Sequence, residues 1–169
     1  MKKLLYLLVP ACLLLTGCAG YTLGAQKPAH LRNVTKLAVP TFKNQTLEPR
    51  LAVLVTNAVI KQLQNHGSYQ IVSKGEADAV LEGDIRQIDR TQFRSDRTNI
   101  LRSSQIQATI GSSFVIRDSA SGTVLHNGGA SANSYIILDS NLQLSDTQLL
   151  EDAAQRLAYD LADQISEGW

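Results

Sequence analysis

Apolar residues recur at spacings of three and four in two segments of the chain, the pattern of amphipathic helices. The first segment opens at Glu48-Pro49-Arg50, where proline is tolerated in a first turn, and ends at Asn65-His66-Gly67, where glycine suits a left-handed cap. The second begins at Ser145-Asp146-Thr147-Gln148, which has the spacing of a capping box, and ends near Gly168. The expected buried stripes are Leu51, Leu54, Val55, Ala58, Val59 and Leu63 in the first helix, and Leu149, Leu150, Ala153, Leu157, Leu161 and Ile165 in the second.

The residues between these helices alternate between apolar and polar, which predicts strands. The clearest strand is 105–118, and its polar second face is typical of an antiparallel sheet with one side in water. Further strands are predicted at 36–42, 69–72, 79–92 and 123–137, with a bulge or bend near Ile85 and a polar loop or hairpin tip at 93–104. In 105–118 the apolar face holds Ile106, Ala108, Ile110, Phe114 and Ile116, and the polar face holds Gln105, Gln107, Thr109 and Ser113.

The predicted order is a strand, a helix, a run of strands and a second helix. This order predicts an α+β fold, in which two amphipathic helices pack on one face of a small mixed, mostly antiparallel sheet. Residues 36–169 are expected to form a single domain. Residues 18–35 have no periodicity and contain Gly20, Gly24 and Pro28, so they are expected to be a tether or an extended lead-in.

The segment 1–17 has the pattern of an export signal. Lys2 and Lys3 precede an apolar run from 4 to 15, which is shorter than the roughly 20 apolar residues that span a bilayer. The following Leu15-Thr16-Gly17-Cys18 resembles the lipobox of bacterial lipoproteins. That resemblance implies cleavage before Cys18, which would carry a thioether-linked diacylglycerol and an amide-linked acyl chain such as palmitate. Ala19 then favours the outer membrane. The alternative is an ordinary signal peptide cut after Ala19.

Cleavage before Cys18 would leave a mature chain that runs from 18 to 169. Without Lys2 and Lys3 it has 14 basic and 15 acidic side chains, so its overall charge does not point to nucleic acid. Cys12 leaves with the signal and Cys18 is acylated. The mature chain therefore has no thiol for a disulfide, a metal site or a nucleophile.

The sequence contains no recognisable catalytic constellation. His30, His66 and His126 stand outside any HExxH or CxxC-type spacing, and the chain has no GxSxG or SxxK motif and no phosphate-binding glycine loop. Glu82 and Asp84 share one strand face, which indicates a solvated face more than a glycosidase pair. We therefore expect no enzyme activity, no metal site and no cofactor.

Arginine is concentrated between positions 85 and 104, where five arginines are accompanied by only two acidic residues, Asp89 and Asp96. Their planar guanidinium groups suit bidentate contact with phosphate, so a hairpin tip bearing them could receive an anionic headgroup. The alternative is a solubilising loop that discourages edge pairing. The candidate lipopolysaccharide-binding residues are Arg86, Arg90, Arg94, Arg97 and Arg102.

Several short motifs, in order behind the lipobox, resemble the LptE family of lipopolysaccharide-assembly lipoproteins. The segment 18–24 (CAGYTLG) is similar to a CGYxLxG opening, with one alanine inserted after the cysteine. The segments 36–44 (KLAVPTFKN) and 48–51 (EPRL) are similar to the family's first strand and helix start. The segment 77–83 (ADAVLEG) is similar to its ADAxLxG strand entry.

The resemblance implies a non-enzymatic role at the periplasmic face of the outer membrane of a Gram-negative cell. Family members sit inside the large β-barrel translocon LptD, help it assemble and help deliver lipopolysaccharide to the outer leaflet. Their fold is two helices on a small sheet. They bind lipopolysaccharide through basic residues near a strand and loop, but no motif carries those residues onto this chain, so the arginine cluster is a hypothesis.

Three other functions remain open from the sequence. A lipoprotein activator of a peptidoglycan synthase usually has a long disordered tether, whereas the segment 19–35 would be a short one. A periplasmic enzyme of unfamiliar type and an accessory subunit of a secretion channel are the others. For any of these functions, a mature chain of this length can bury a sizeable core, so we expect a monomer that folds alone.

Overall fold

The computed structural model describes residues 27–95, 103–137 and 142–168. The predicted signal segment, the lipobox and Cys18 lie outside the described residues. Within them, the predicted α+β class is confirmed, because two helices pack against a mixed sheet that is mostly antiparallel.

The first strand region is divided in two around Pro40. β1 (Lys36–Ala38) ends before the proline, which has no amide hydrogen to continue a ladder, and β2 (Lys43–Asn44) follows it. The predicted strand over 36–42 is therefore too long, because Pro40 interrupts it.

The first helix, α1 (Leu51–His66), follows the predicted pattern closely. Leu51, Val55, Val59 and Leu63 of its stripe are buried. Gly67 ends the helix in the left-handed region, with φ 71°, and its amide donates to the carbonyls of Leu63 and Gln64.

The remaining elements form most of the sheet and its second helix. β3 (Gln70–Ile71) is shorter than predicted, and a 3-10 turn at Lys74–Glu76 leads into β4 (Ala79–Ser95). β5 (Ser103–Asp118) and β6 (Val124–Ile137) follow, and then α2 (Leu142–Glu167). Because β4 and β5 extend further than expected, the predicted tip at 93–104 narrows to residues 96–102, which lie outside the described residues.

The capping box predicted at Ser145 is wrong. The helix already begins at Leu142, so Ser145 stands within the first turn and not before it. Leu and Gln are good helix formers, so residues 142–144 extend the helix to a point before the predicted capping box at Ser145.

The strand order in the sheet is β3-β1-β4-β5-β6, with β2 also paired to β4. β1 runs parallel to β3 and β4, and β2 runs parallel to β4. The three long strands are antiparallel to one another. The short parallel strands support only the beginning of β4, so the long strands extend beyond them as an antiparallel arm.

Both helices cover one face of this sheet and share one core with it. The deepest side chains come from all layers, including Leu63 of α1, Leu81 of β4, Ile110 of β5 and Leu157 of α2, each with no exposed surface. The predicted stripe of the second helix is confirmed, since all six of its residues are buried. A small second cluster of Ala38, Ala77 and Val80 lies apart from the main core.

The last residues before β1 belong to the packed body of the protein. Leu31 and Val34 are buried in the main core. A Cβ placed on Gly168 would lie 3.0 Å from a side-chain carbon of Pro28, so this segment crosses the end of α2. The Nζ atom of Lys27 lies 4.4 Å from the centre of the Tyr69 ring. The chain thus enters the domain beside the last turn of α2.

Candidate functional site

A β-bulge separates two of the candidate arginines onto opposite faces of the sheet. Ile85 is opposite Ser112 and Gln87 is opposite Gly111, so Arg86 is the extra residue, and the predicted bulge is confirmed. Arg86 donates from Nε to the Ser113 hydroxyl at 2.8 Å, on the face away from the helices.

Arg90 lies on the helix face, opposite the buried Ala108. Its Nη2 is 3.1 Å from Glu48 Oε2, and its Nε is 3.2 Å from Asp146 Oδ1. Glu48 precedes α1 and Asp146 lies in the first turns of α2, so these three residues, here called the distal ion-pair cluster, join both helix starts to β4. Two carboxylates already neutralise the charge of Arg90.

Arg50 extends the distal ion-pair cluster. Its Nε is 3.6 Å from Glu48 Oε1, and its Nη1 is 3.4 Å from the Thr147 hydroxyl. The side chain of Glu48 is 19% exposed, so this carboxylate is partly withdrawn from water. Partial burial strengthens such pairs relative to fully exposed ones.

The remaining candidates are only partly described. Arg94 takes a place in β4 opposite Gln105, and its side chain lies outside the described residues. Arg97 and Arg102 lie outside them entirely. The predicted binding role of all five arginines stays a prediction.

A groove of about 400 Å³ runs between the loop before α1 and the bulged part of β4. Arg86 and Arg90 line it, and so does Leu47, whose side chain is fully exposed. A groove with guanidinium groups and an exposed aliphatic side chain can contact both the charged and the apolar part of an amphiphile. Leu47 was not predicted as a site residue from the sequence, although an isolated leucine in the polar segment 44–48 was a usable signal.

The histidines make local contacts. His66 Nδ1 lies 3.3 Å from the Ser68 hydroxyl, and its Nε2 is 3.5 Å from Glu167. The rings of His30 and His126 are 4.6 Å apart, and burial, together with the nearby His30, lowers the pKa of His126. Among the described residues, no group of three His, Cys, Asp or Glu side chains could hold a metal ion.

The two carboxylates of the strand face have separate partners. Glu82 pairs with Arg117 at 3.3 Å, and Asp84 accepts from the Gln45 side-chain amide at 2.6 Å. Each is thus held by a neighbour of its own.

In the part of the chain that the structure describes, neither α1 nor α2 is long and apolar enough to cross a membrane.

The comparison with family models identifies the chain. Residues 34–167 match the model of LptE, described as lipopolysaccharide-assembly. The chain belongs to the LptE family. Among the described residues, the match covers both helices and every strand, and it agrees with the resemblance of the short motifs to this family.

Solved structures show how widely this fold occurs. The LptE-family chain is similar to the protein CT253 from Chlamydia trachomatis, with TM-score 0.56 and 8% identity over 78% of this chain and 95% of that one. It is also similar to the protein XCC0632 from Xanthomonas campestris, with TM-score 0.55 and 15% identity over 88% of this chain and 94% of that one. At such low identity these likenesses concern the fold alone. No curated protein compared with the chain matches it significantly.

Proposed function

We propose that the protein is a non-enzymatic outer-membrane lipoprotein that plugs and helps assemble an LptD-like barrel and assists lipopolysaccharide delivery to the outer leaflet. The observation that carries the proposal is the LptE family match over residues 34–167, which spans both helices and the described strands.

The proposed anchor is a set of acyl chains on Cys18. A single acyl chain holds a protein to a bilayer only marginally, so the multiple chains that a lipobox implies would give stable attachment. Lys27 is the first described residue and lies beside the end of α2. The anchor would therefore join the domain at the end opposite the β4–β5 arm.

The open face of the sheet suits the proposed place inside a barrel. Most of its residues along β5 and β6 are polar, with Val115 and Ile137 among the exceptions, and the Thr109 hydroxyl donates to Asn133 Oδ1 at 2.8 Å. The lumen of a large outer-membrane barrel is polar as well. A hydrogen-bonding face would keep its solvation there, whereas an apolar face would not.

Lipopolysaccharide would meet the groove beside Arg86 and Arg90. Phosphate groups of an anionic glycolipid would pair with the guanidinium groups, and Leu47 offers an apolar contact at the same groove. Such exposed charge contacts weaken as salt is added.

The first test is co-purification. The full-length chain with a C-terminal tag is extracted from membranes in mild detergent, and its partners are identified. A single large β-barrel at near-equal stoichiometry is the expected result. Recovery of a peptidoglycan synthase, or of no partner, would contradict the proposed role. Cys18→Ser serves as the control, because it should release the protein from the membrane fraction.

The second test concerns the arginines. Arg90, Arg94 and Arg97 replaced together by Ala should weaken lipopolysaccharide binding about tenfold, which corresponds to roughly 1.4 kcal/mol. Arg86→Ala and Arg102→Ala should each weaken it less. The matched control is Arg117→Ala, an arginine of the same sheet that pairs with Glu82 away from the groove. Unchanged binding in the triple variant would remove the arginines from the proposal.

A further inference from the structure

A second groove, remote from the arginines, runs between the edge strand β6 and helix α2. It consists of two adjoining hollows of about 390 and 470 Å³ that share Ser131 and Asp160. Asp163 and Gln164 lie toward one end, and Tyr135, Arg156 and Tyr159 lie toward the other. One wall is therefore the side of a helix and the other is the margin of a sheet.

The strand that forms this margin has an open backbone. Within the described ranges, β6 pairs with β5 and with no other strand. The Gly129 carbonyl accepts from the Gln164 side chain at 3.1 Å, so it points away from β5. Because antiparallel pairing alternates along a strand, Ser131 and Asn133 present their amide and carbonyl groups in the same outward direction.

The sequence of β6 gives this edge little protection, because a bulge at Leu125, near the start of the strand, is the one irregularity in its described pairing with β5. Its 14 residues, VLHNGGASANSYII, include no Lys, Arg, Asp, Glu or Pro. Natural proteins usually guard long edge strands with charges, proline or bulges, because an exposed edge pairs with other chains. An edge of this length without such residues is expected when another strand covers it.

The opposite wall carries two acidic side chains, Asp160 and Asp163, beside one arginine. Helix α2 as a whole has six acidic residues and one basic residue. The basic residue, Arg156, is held by Asp152 at 2.8 Å.

Burial raises the pKa of Asp163, and the nearby Glu167 and Asp160 raise it further, while His66, whose Nε2 is 3.9 Å away, lowers it. Three carboxyl groups are thus crowded around one histidine at this end of the groove. A cation from a partner would relieve that crowding.

Two aromatic side chains border the groove at its other end. Tyr135 is 47% exposed and Tyr159 is 58% exposed, although the chain has only five tyrosines. Half-exposed tyrosine rings beside open backbone groups are typical anchors for a bound peptide.

We propose that this groove binds an extended segment of another protein, which adds a strand to β6 and places lysine or arginine side chains against Asp160 and Asp163. The backbone of the added strand satisfies the outward groups of Ser131 and Asn133, in the manner of β-augmentation. The acidic helix selects a basic segment over an acidic one. This surface does not depend on the lipopolysaccharide role.

The test uses the full-length chain in detergent and fluorescent eight-residue peptides of alternating Val and Lys. Fluorescence anisotropy should show saturable binding, and the corresponding Val and Glu peptide should bind at least about tenfold more weakly. N-methylation of one alternate set of amides should abolish binding, and methylation of the other set should preserve it, because only one set faces β6. Hydrogen exchange at Asn133 should slow when the peptide binds.

Substitutions on α2 complete the test. Asp160→Lys should weaken binding of the Val and Lys peptide at least about tenfold. Glu151→Lys makes the same charge change on an exposed residue and is the control. Glu151 lies nine positions from Asp160, or about two and a half turns, so it faces another side of the helix. Its substitution should leave binding unchanged. Absence of binding, or equal loss with both methylation patterns, would overturn the proposal. So would association of the chain with itself through Asn133, which would make a second copy the occupant.

Discussion

At the scale of single residues, the tightest contact of any described glycine is between Gly83 and Phe42. A Cβ built on Gly83 would overlap the ring of Phe42, which is itself buried. The glycine was visible in the sequence as the last residue of the ADAxLxG-type segment. The requirement for glycine at position 83 could not be predicted, because the ring that occupies the space beside it comes from a residue 41 positions earlier in the chain.

Gly83→Ala should lower the free energy of unfolding by about 1–3 kcal/mol, since the added methyl forces the Phe42 ring from its place. Chemical denaturation monitored by circular dichroism measures the change. Gly75→Ala is the matched control, because nothing lies within 4 Å of a Cβ at that position. Equal stability of the two variants would mean that the ring moves aside without cost.

Tyr69 ties the start of β3 to the end of α2. Its hydroxyl donates to the Ile165 carbonyl at 2.9 Å, and burial raises its pKa to about 12. The folded protein therefore keeps a proton that the unfolded chain releases near pH 10, so Tyr69 reduces stability as the pH rises from about 10 to 12. Denaturation midpoints should fall over that interval.

Tyr69→Phe should make that alkaline decline shallower and should cost about 1 kcal/mol at neutral pH, from the lost hydrogen bond. Tyr159→Phe, at an exposed tyrosine, is the control and should alter neither quantity. An unchanged slope in the Tyr69 variant would show that other groups cause the decline.

At the scale of elements, periodicity predicted what lies inside but not where each element ends. The helix stripes and the faces of β5 came directly from spacing, because burial selects apolar side chains at each turn or each second residue. The ends depended on local features that compete, such as Pro40, which splits the first strand, and Leu142, which extends α2. The candidate site was predicted least well, because the bulge at Arg86 decides which arginines lie on the same face of the sheet.

The left-handed end of α1 gives a prediction at this scale. Gly67 has φ 71°, where a Cβ costs roughly 1–2 kcal/mol, so Gly67→Ala should reduce the free energy of unfolding by that amount. Thermal denaturation provides the measurement. Gly67→Asn should lose less, because asparagine tolerates this region better than alanine does. Similar losses for alanine and asparagine would point to a cause other than backbone strain.

At the scale of the whole molecule, one core joins both helices to the sheet. Leu157 of α2 and Leu63 of α1 have no exposed surface and belong to the same cluster as Ile110 of β5. A shared core of this kind makes a domain unfold in one cooperative step. The prediction that the protein folds alone depends on this feature.

Leu157→Ala should lower the free energy of unfolding by about 2–5 kcal/mol, because it leaves a cavity between helix and sheet. Val53→Ala, at a side chain that is 57% exposed, should change it far less. Near- and far-ultraviolet circular dichroism should report the same transition in both variants. A loss of the near-ultraviolet signal alone would indicate a molten state and would contradict independent folding.

The uncharged edge of β6 also affects the concentration of this protein that a cell can tolerate without aggregation. Fourteen residues without a charge or a proline form a template on which identical strands can stack in register. Surplus copies that lose their tertiary structure would therefore tend toward fibrillar aggregates, at a rate that rises steeply with their concentration. Cells that make this chain would gain from matching its synthesis to that of whatever covers the edge, and from destroying the remainder.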